Sequence, residues 1–286
     1  MKKVIGVITA RMGSTRLPGK VMLKLCGKSV FAHHVERMKQ VKGISEIYLA
    51  TSDNQNNNTL IEESEKLKVK YYRGSEEDIL ERHISILGKE DADAALRVTC
   101  DMPLFDIGAL SEYVRKFNEE YYDFIYTANM TIVCGTIGEL ISHKAMLKAH
   151  SSYRGPAISQ PIKEKINEYK TFGISISQEL CRPEYRLTLD YAEDYEVIKF
   201  IYERLYKESP VLLEEVYKLL DDNPHIANIN RNVKVKGNVI YGAGLLDVPR
   251  YIVMRSGNKY VILDDNKAVV SPKSFFEDLK NMFPEI

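Results

Sequence analysis

The chain has 286 residues, of which 44% are apolar, and its 40 basic side chains balance 40 acidic ones. This length accommodates one large domain or one domain with an appendage, and the apolar fraction supplies a core rather than a disordered chain. The balanced charge excludes bulk attraction to nucleic acid or to an anionic membrane, so each local basic cluster needs its own explanation.

The first predicted element is "KVIGVIT" (3–9). Two lysines ahead of an apolar run mimic a signal peptide, but the run ends at Arg11 without a small-residue cleavage site, so it reads as a buried strand. Phe31, Val35 and Met38 recur at helical spacing and predict a helix over 29–40. "EIYLATS" (46–52) reads as a strand, followed by a helix over 58–67 that Thr59 could cap. "VKYYR" (69–73) precedes a helix with Ile79, His83 and Ile86 on one face. "DAALRVTCD" (93–101) leads into a helix around 106–118, capped by Asp106. Strands and helices alternating at this spacing imply βαβ units, hence a mainly parallel sheet covered by helices on both faces.

After 120 the rhythm loosens. "YDFIYTANMTIVCGTIGELIS" predicts two or three strands, with antiparallel pairing open, and helices follow near 143–150 and 158–168. "RLTLD" (186–190) reads as a further strand, leading into a helix that carries Tyr195, Ile198 and Tyr202. Glu193 and Asp194 sit in its first turn, where the helix dipole favours acids. Ser209 and Pro210 offer the cap and first position of another helix, ending near 221.

Past Asn223-Pro224 the composition shifts to short strand-like runs, with Ser256-Gly257-Asn258 as a hairpin turn. Ser271-Pro272 opens a last helix carrying Phe275, Phe276, Leu279 and Phe283. The expected division is a large α/β domain at 1–230 and a small α+β appendage at 231–286, too small to be stable undocked. Cys26, Cys100, Cys134 and Cys181 form no C-x-x-C pair, which disfavours a zinc knuckle or a disulfide framework and suits a reducing cytoplasm. No run approaches the roughly 18 apolar residues of a spanning helix. The expectation is a soluble cytoplasmic protein.

Three segments carry chemistry. The first is "ARMGSTRLPGK" (10–20), leaving the carboxyl end of the first strand, where open α/β sheets bind ligands. A Walker loop needs four residues between its glycines and a hydroxyl after the lysine. Here five residues separate Gly13 from Gly19, and Val21 follows Lys20. "YGAGLLD" (241–247) likewise lacks a dinucleotide fingerprint. What remains is a polyphosphate loop: Gly13 permits close backbone approach, Ser14 and Thr15 add hydroxyls, and Arg16 and Lys20 add a planar fork and a mobile point charge. The other two segments are "RVTCDMPLFD" and "LTLDYAEDYE", each an aspartate after a predicted strand. Asp101 and Asp190, facing a polyphosphate loop, would make a Mg²⁺ site, since Mg²⁺ takes one or two carboxylates plus phosphate oxygens.

"ARMGSTRLPGK", "ATSDN", "YRGSEEDILER", "RVTCDMPLFD" and "LTLDYAEDYE" follow one another over roughly residues 3–205. In this order they resemble the cytidylyltransferases that activate acidic sugars, nearest the spore-coat polysaccharide branch and more distantly the CMP-Kdo and CMP-sialic acid synthetases. The resemblance implies a Rossmann-like α/β nucleotide-diphospho-sugar transferase (GT-A-like) fold and transfer of CMP from CTP with release of pyrophosphate. It implies nucleotide contacts from Ala10, Arg11, Gly13, Ser14, Thr51, Asp53, Arg73, Gly74 and Ser75, catalytic roles for Arg16, Lys20 and Asp101, and Mg²⁺ on Asp101 and Asp190.

The chain departs from the nearest branch in its acceptor half. In "GTIGELIS" (135–142) Glu139 is kept, but Ile137 replaces an expected aspartate, and "RGPAISQP" (154–161) lacks an expected histidine. Glu139 and Arg154 are the acceptor-side candidates, for an acidic sugar or a phosphorylated or phosphonate acceptor. The expected partners are CTP, that small acidic acceptor and a second copy of the chain, without nucleic acid or membrane. A GT-A glycosyltransferase and an inactive nucleotide-binding regulator are the competing readings. Asp101-Met102-Pro103 lacks the D-x-D of the first, and intact Lys20, Asp101 and Asp190 disfavour the second.

Overall fold

The computed structural model describes residues 2–128, 133, 135–175, 182, 184–231 and 233, together with the backbone of 252–256, 259–263 and 269–270. In chain order the elements begin β1 (Val4–Thr9), β2 (Lys24–Leu25), β3 (Lys28–Ser29), α1 (Val30–Met38), β4 (Glu46–Ser52), α2 (Asn58–Lys66), β5 (Lys70–Gly74) and α3 (Ile79–Glu90). They continue with β6 (Ala94–Thr99), α4 (Ile107–Glu119), β7 (Phe124–Thr127), β8 (Glu139–Ser142), α5 (His143–His150), α6 (Gln160–Glu164) and β9 (Thr171–Ile174). Three helices follow, α7 (Ala192–Leu205), α8 (Leu213–Asp222) and α9 (Pro224–Ala227), then β10 (Ile252–Ser256), β11 (Lys259–Leu263) and β12 (Val269–Val270).

Seven strands form one sheet in the order β5-β4-β1-β6-β8-β7-β9. β5, β4, β1 and β6 run parallel, β8 is antiparallel to both β6 and β7, and β7 and β9 are again parallel. Side chains alternate across β1 as strand geometry requires. Val4 and Ile8 join a cluster with Phe31 and Val35 of α1, Leu110 and Phe117 of α4 and Ile198 and Ile201 of α7. Ile5 and Val7 join Leu80 and Ile86 of α3, Ala145 of α5 and Ile162 of α6. Helices on both faces are what a buried, nearly all-apolar central strand demands. The α/β fold expected from the sequence is therefore the fold observed.

Local departures have physical reasons. "RLTLD" is not a sheet strand: its regular pattern stops at a single bridge at Arg186. Leu187 and Leu189 are buried, but the Leu189 N–H donates to the Asp101 carbonyl (2.8 Å), a loop group rather than a strand ladder. Thr59 does not cap α2, because the preceding 3-10 turn at Gln55–Asn57 runs directly into it. Ser209-Pro210 does not open α8, which starts at Leu213 with the Glu215 carboxylate accepting from the Leu212 N–H. The helix expected over 158–168 is shorter, as α6 followed by a 3-10 turn.

The hairpin β2–β3, unforeseen, turns through Cys26 and Gly27, both at positive φ, as a two-residue turn between right-twisted strands prefers. β10–β12 form a separate antiparallel sheet, and the pairing of Ser256 with Lys259 gives the expected hairpin. The anticipated last helix with Phe275, Phe276 and Phe283 lies outside the described residues, as do "YGAGLLD", Cys134 and Cys181. Among the described residues no helix is long and apolar enough to cross a membrane.

Candidate active site

From β1 the chain builds outward through β4 to β5, then returns across β1 to β6. Connections leave β1 and β6 in opposite directions, and open α/β sheets bind ligands in the crevice this creates at the strands' carboxyl ends. Thr9 and Thr99 are register partners there, and the Cys100 N–H donates to the Thr9 carbonyl (2.9 Å). The loop after β1 closes on itself, because the Met12 carbonyl accepts from the N–H groups of Ser14 (2.9 Å) and Gly19 (3.3 Å). Asn57 fastens it below by accepting from the Met12 N–H at 2.8 Å. Gly19 has φ +64°, a conformation in which a Cβ would be strained. This left-handed step opens the 3-10 turn Lys20–Met22 and sends Lys20 inward, where it is only 9% exposed.

There the Lys20 Nζ lies 2.8 Å from Asp190 Oδ1 and 3.2 Å from Asp101 Oδ2. Arg16 Nη2 approaches the same Asp190 oxygen at 2.7 Å, and its guanidinium lies over the Tyr191 ring. Asp101 follows β6 directly; its Oδ1 accepts from the Thr99 hydroxyl at 2.5 Å. Its carbonyl takes the Leu189 N–H (2.8 Å) and the Thr188 hydroxyl (3.2 Å), so the backbone of one aspartate places the segment bearing the other. Asp194 fixes that segment from behind. Fully buried, it accepts from the N–H groups of Asp190 (2.9 Å) and Tyr191 (3.0 Å) and pairs with Arg186 Nε at 2.8 Å.

Burial disfavours the Lys20 ammonium, but Asp101 and Asp190 outweigh it and raise its pKa above the ordinary lysine value. Burial likewise opposes ionisation of Asp101, yet Lys20 and the Thr99 hydrogen bond hold its pKa below the usual carboxylate range. Both groups are therefore charged at neutral pH. Two cations, Arg16 and Lys20, face two anions, Asp101 and Asp190, so a triphosphate entering here meets no surplus positive charge.

The other expected nucleotide residues ring this cluster unevenly. A Cβ on Gly13 would meet only Glu76 Oε1, at 3.9 Å, so the loop is open above it. Ser14 Oγ accepts from the Leu17 N–H (3.3 Å), and Arg11 Nη1 meets Glu76 at 3.2 Å. The Ala10 N–H is used by the Ala50 carbonyl (3.2 Å), and Thr51 is fully buried with its hydroxyl unpartnered. Asp53 donates its N–H to the Gly74 carbonyl (2.9 Å), while Arg73 Nη2 donates to the carbonyls of Asp53 (2.8 Å) and Asn54 (3.2 Å), tying the ends of β4 and β5 together. A Cβ on Gly74 would come within 2.8 Å of Arg82 Cγ and of the Tyr72 ring, so glycine is required by close approach. Ser75 Oγ accepts from the Asp78 N–H at 3.0 Å.

Of the two residues expected on the acceptor side, Glu139 is a largely buried ion-pair partner, with Lys163 Nζ at 2.6 Å and Arg97 Nη1 at 3.4 Å. Arg154 is exposed and lies 3.6 Å from Asp78, the cap of α3; no hydrogen bond or ion pair joins it to Lys20, Asp101 or Asp190. The helical histidines His33, His34 and His83 are buried. Burial pushes His34 down to about 4 and His83 down to about 3, and their rings bond the carbonyls of Val30 and Ile79.

Glu139 sets an acid limit on stability. Burial opposes its ionisation, but Lys163 and Arg97 prevail and bring its pKa down to about 2 from 4.5. A depressed carboxylate stabilises the fold fully above its unfolded pKa, and that contribution is lost as pH falls through the folded value. Urea unfolding of wild type and Glu139→Gln between pH about 5 and about 2 should show a shallower decline for the variant. Parallel declines would assign the acid limit to other groups.

Arg97, Thr99, Arg186 and the buried role of Asp194 were not singled out from the sequence; Arg97 and Thr99 sit inside "RVTCD", four and two positions before its aspartate.

The sequence pattern of the family described as Cytidylyltransferase matches residues 5–217. The uncharacterized protein MJ1063 of Methanocaldococcus jannaschii is 32% identical over 241 residues, spanning 82% of this chain and 97% of that one. The spore coat polysaccharide biosynthesis protein SpsF of Bacillus subtilis is 29% identical over 234 residues, 79% of this chain and 98% of its own. In three dimensions, a cytidylyltransferase from Leptospira borgpetersenii superposes with a TM-score of 0.74 at 26% identity, over 83% of this chain and all of that chain. With the loop after β1 and the carboxylates of Asp101 and Asp190 brought together on this fold, the chain belongs to the cytidylyltransferase family and is a CTP-using transferase.

Proposed function

We propose that the chain joins CMP to an acidic acceptor, a sugar acid or a phosphorylated or phosphonate compound, with Mg²⁺ as cofactor. The acceptor oxygen bonds to the α-phosphorus of CTP as the bond to pyrophosphate breaks. The observation that carries this reading is the meeting of Arg16, Lys20, Asp101 and Asp190 at the ends of β1 and β6.

The donor set suits Mg²⁺. Asp101 Oδ2 and Asp190 Oδ1 already share one cation, the Lys20 ammonium, and the local charge is balanced until a triphosphate arrives. Two carboxylates would leave the rest of the ion's shell to phosphate and water, as Mg²⁺ sites commonly do. Bound by the two aspartates, Mg²⁺ would neutralise charge on the reacting phosphates.

The remaining work falls to the chain's own groups. Lys20, a point charge on a flexible stem, exchanges carboxylate for phosphate oxygens, and Arg16 offers a planar fork to the departing pyrophosphate. Thr99 and the Asp101 carbonyl hold the two carboxylates in register. Phosphoryl-type transfer asks the protein chiefly for such positioning and charge. A screen of CTP, UTP, ATP and GTP with 3-deoxy-manno-octulosonate and phosphorylated or phosphonate acceptors, read by pyrophosphate release, should single out CTP. Equal kcat/KM with ATP or GTP would refute it.

A further inference from the structure

The layer between α3, β6 and β8 contains buried N–H donors with no anion to receive them. Arg97 and Thr99 share the β6 face that carries Ala95, the face packed on Leu80 and Ile86 of α3. Arg97 Nη1 stands 3.4 Å from Glu139 Oε2, its register partner on β8, yet that oxygen accepts no hydrogen bond and Arg97 Nε is buried without an acceptor. Glu139 directs its other oxygen to Lys163 (2.6 Å) and the Ser159 hydroxyl (2.8 Å). One carboxylate thus serves two cations. Nearby Arg82, 1% exposed, leaves Nε and Nη1 equally without acceptors. His83, with its Nε2 3.3 Å from the Thr9 hydroxyl, completes the layer as a neutral ring.

Through β6 this layer adjoins the cluster at Asp101. The Arg97 side chain keeps 14% of its surface exposed and Asp101 27%, while Thr99, between them on the strand, hydrogen-bonds Asp101. The Nε–Nη edge of a guanidinium is the edge that takes an oxyanion with two parallel bonds. We infer that Arg97 is the acceptor-reading residue: its free edge binds the acceptor's oxyanion, carboxylate or phosphonate, and so turns the acceptor's reacting oxygen toward Asp101. Glu139 then acts through Arg97, holding the guanidinium from behind. This assignment rests on the CMP-transfer reading above.

The test separates the two. Arg97→Lys keeps the charge opposite Glu139 but loses the planar edge. In the free chain, the Arg97 Nε–H resonance, identified by its absence from the variant, should shift saturably with acetate or with methylphosphonate, and the tighter anion names the acceptor's acidic group. With an acceptor that wild type turns over, the variant should raise acceptor KM by about ten- to a hundredfold while CTP affinity holds. An unmoved resonance with both anions, or an unchanged acceptor KM, would overturn the assignment and leave Arg97 a counter-ion of Glu139. Loss of CTP binding in wild type would refute the transfer reading by itself, whatever the anion titration shows.

Discussion

Asp101→Asn should lower turnover by about a hundredfold or more, the scale of losing one group that stabilises transition-state charge. Folding should survive. The Asp101 carbonyl still receives the Leu189 N–H and the Thr188 hydroxyl, and an asparagine oxygen can still accept from Thr99. The loss should be in kcat with saturating CTP, and raising Mg²⁺ should recover only part of it, because the missing charge is one of two that would hold the proposed ion. Melting curves within a few degrees of wild type, beside steady-state rates at several Mg²⁺ concentrations, check both halves. Wild-type turnover at saturating Mg²⁺ would remove Asp101 from the metal and the mechanism.

Lys20→Met should separate CTP from CMP. A buried charge-assisted contact is worth about 1.5–3 kcal/mol, so CTP affinity should fall by roughly ten- to a hundredfold, while CMP, lacking the β- and γ-phosphates, should lose far less. The variant has a second consequence. Without its ammonium, Asp101 and Asp190 face each other with only Arg16 and the more distant Arg186 to balance them. The nucleotide-free variant should melt lower than wild type, and Mg²⁺ or Mn²⁺ should restore the difference by occupying the vacated position. Calorimetry with CTP and CMP and melting with and without metal read these effects. Equal losses for both nucleotides would move Lys20 away from the pyrophosphate end.

Apart from the β2–β3 hairpin, the elements from β1 to α4 were legible because their apolar residues recur in runs or at helical spacing. Phe31, Val35 and Met38 at helical spacing, and the apolar β1 sandwiched by helices, leave few alternatives. "RLTLD" misled for the same reason: alternating buried Leu187 and Leu189 look like a strand, whereas the backbone partner that decides the matter is a loop carbonyl at Asp101. The site was legible as a set of residues but not as an arrangement. Its loop marked Lys20 as a phosphate-ligand candidate; that it lies between both aspartates follows from the left-handed Gly19 and from the 187–190 segment, neither of which has a periodic signature. Arg97 and Glu139 meet only because β8 reverses direction beside β6, a register that no local pattern encodes.

The central claim is attack at the α-phosphorus, and ³¹P NMR of the complete reaction tests it most directly. With CTP, Mg²⁺ and a turned-over acidic acceptor, the account predicts that CTP signals give way to pyrophosphate and a CMP–acceptor ester, or anhydride for a phosphoryl acceptor, in equal amounts. Release of inorganic phosphate with CDP, or of CDP with a phosphorylated acceptor, would place the attack elsewhere on the chain of phosphates and contradict it.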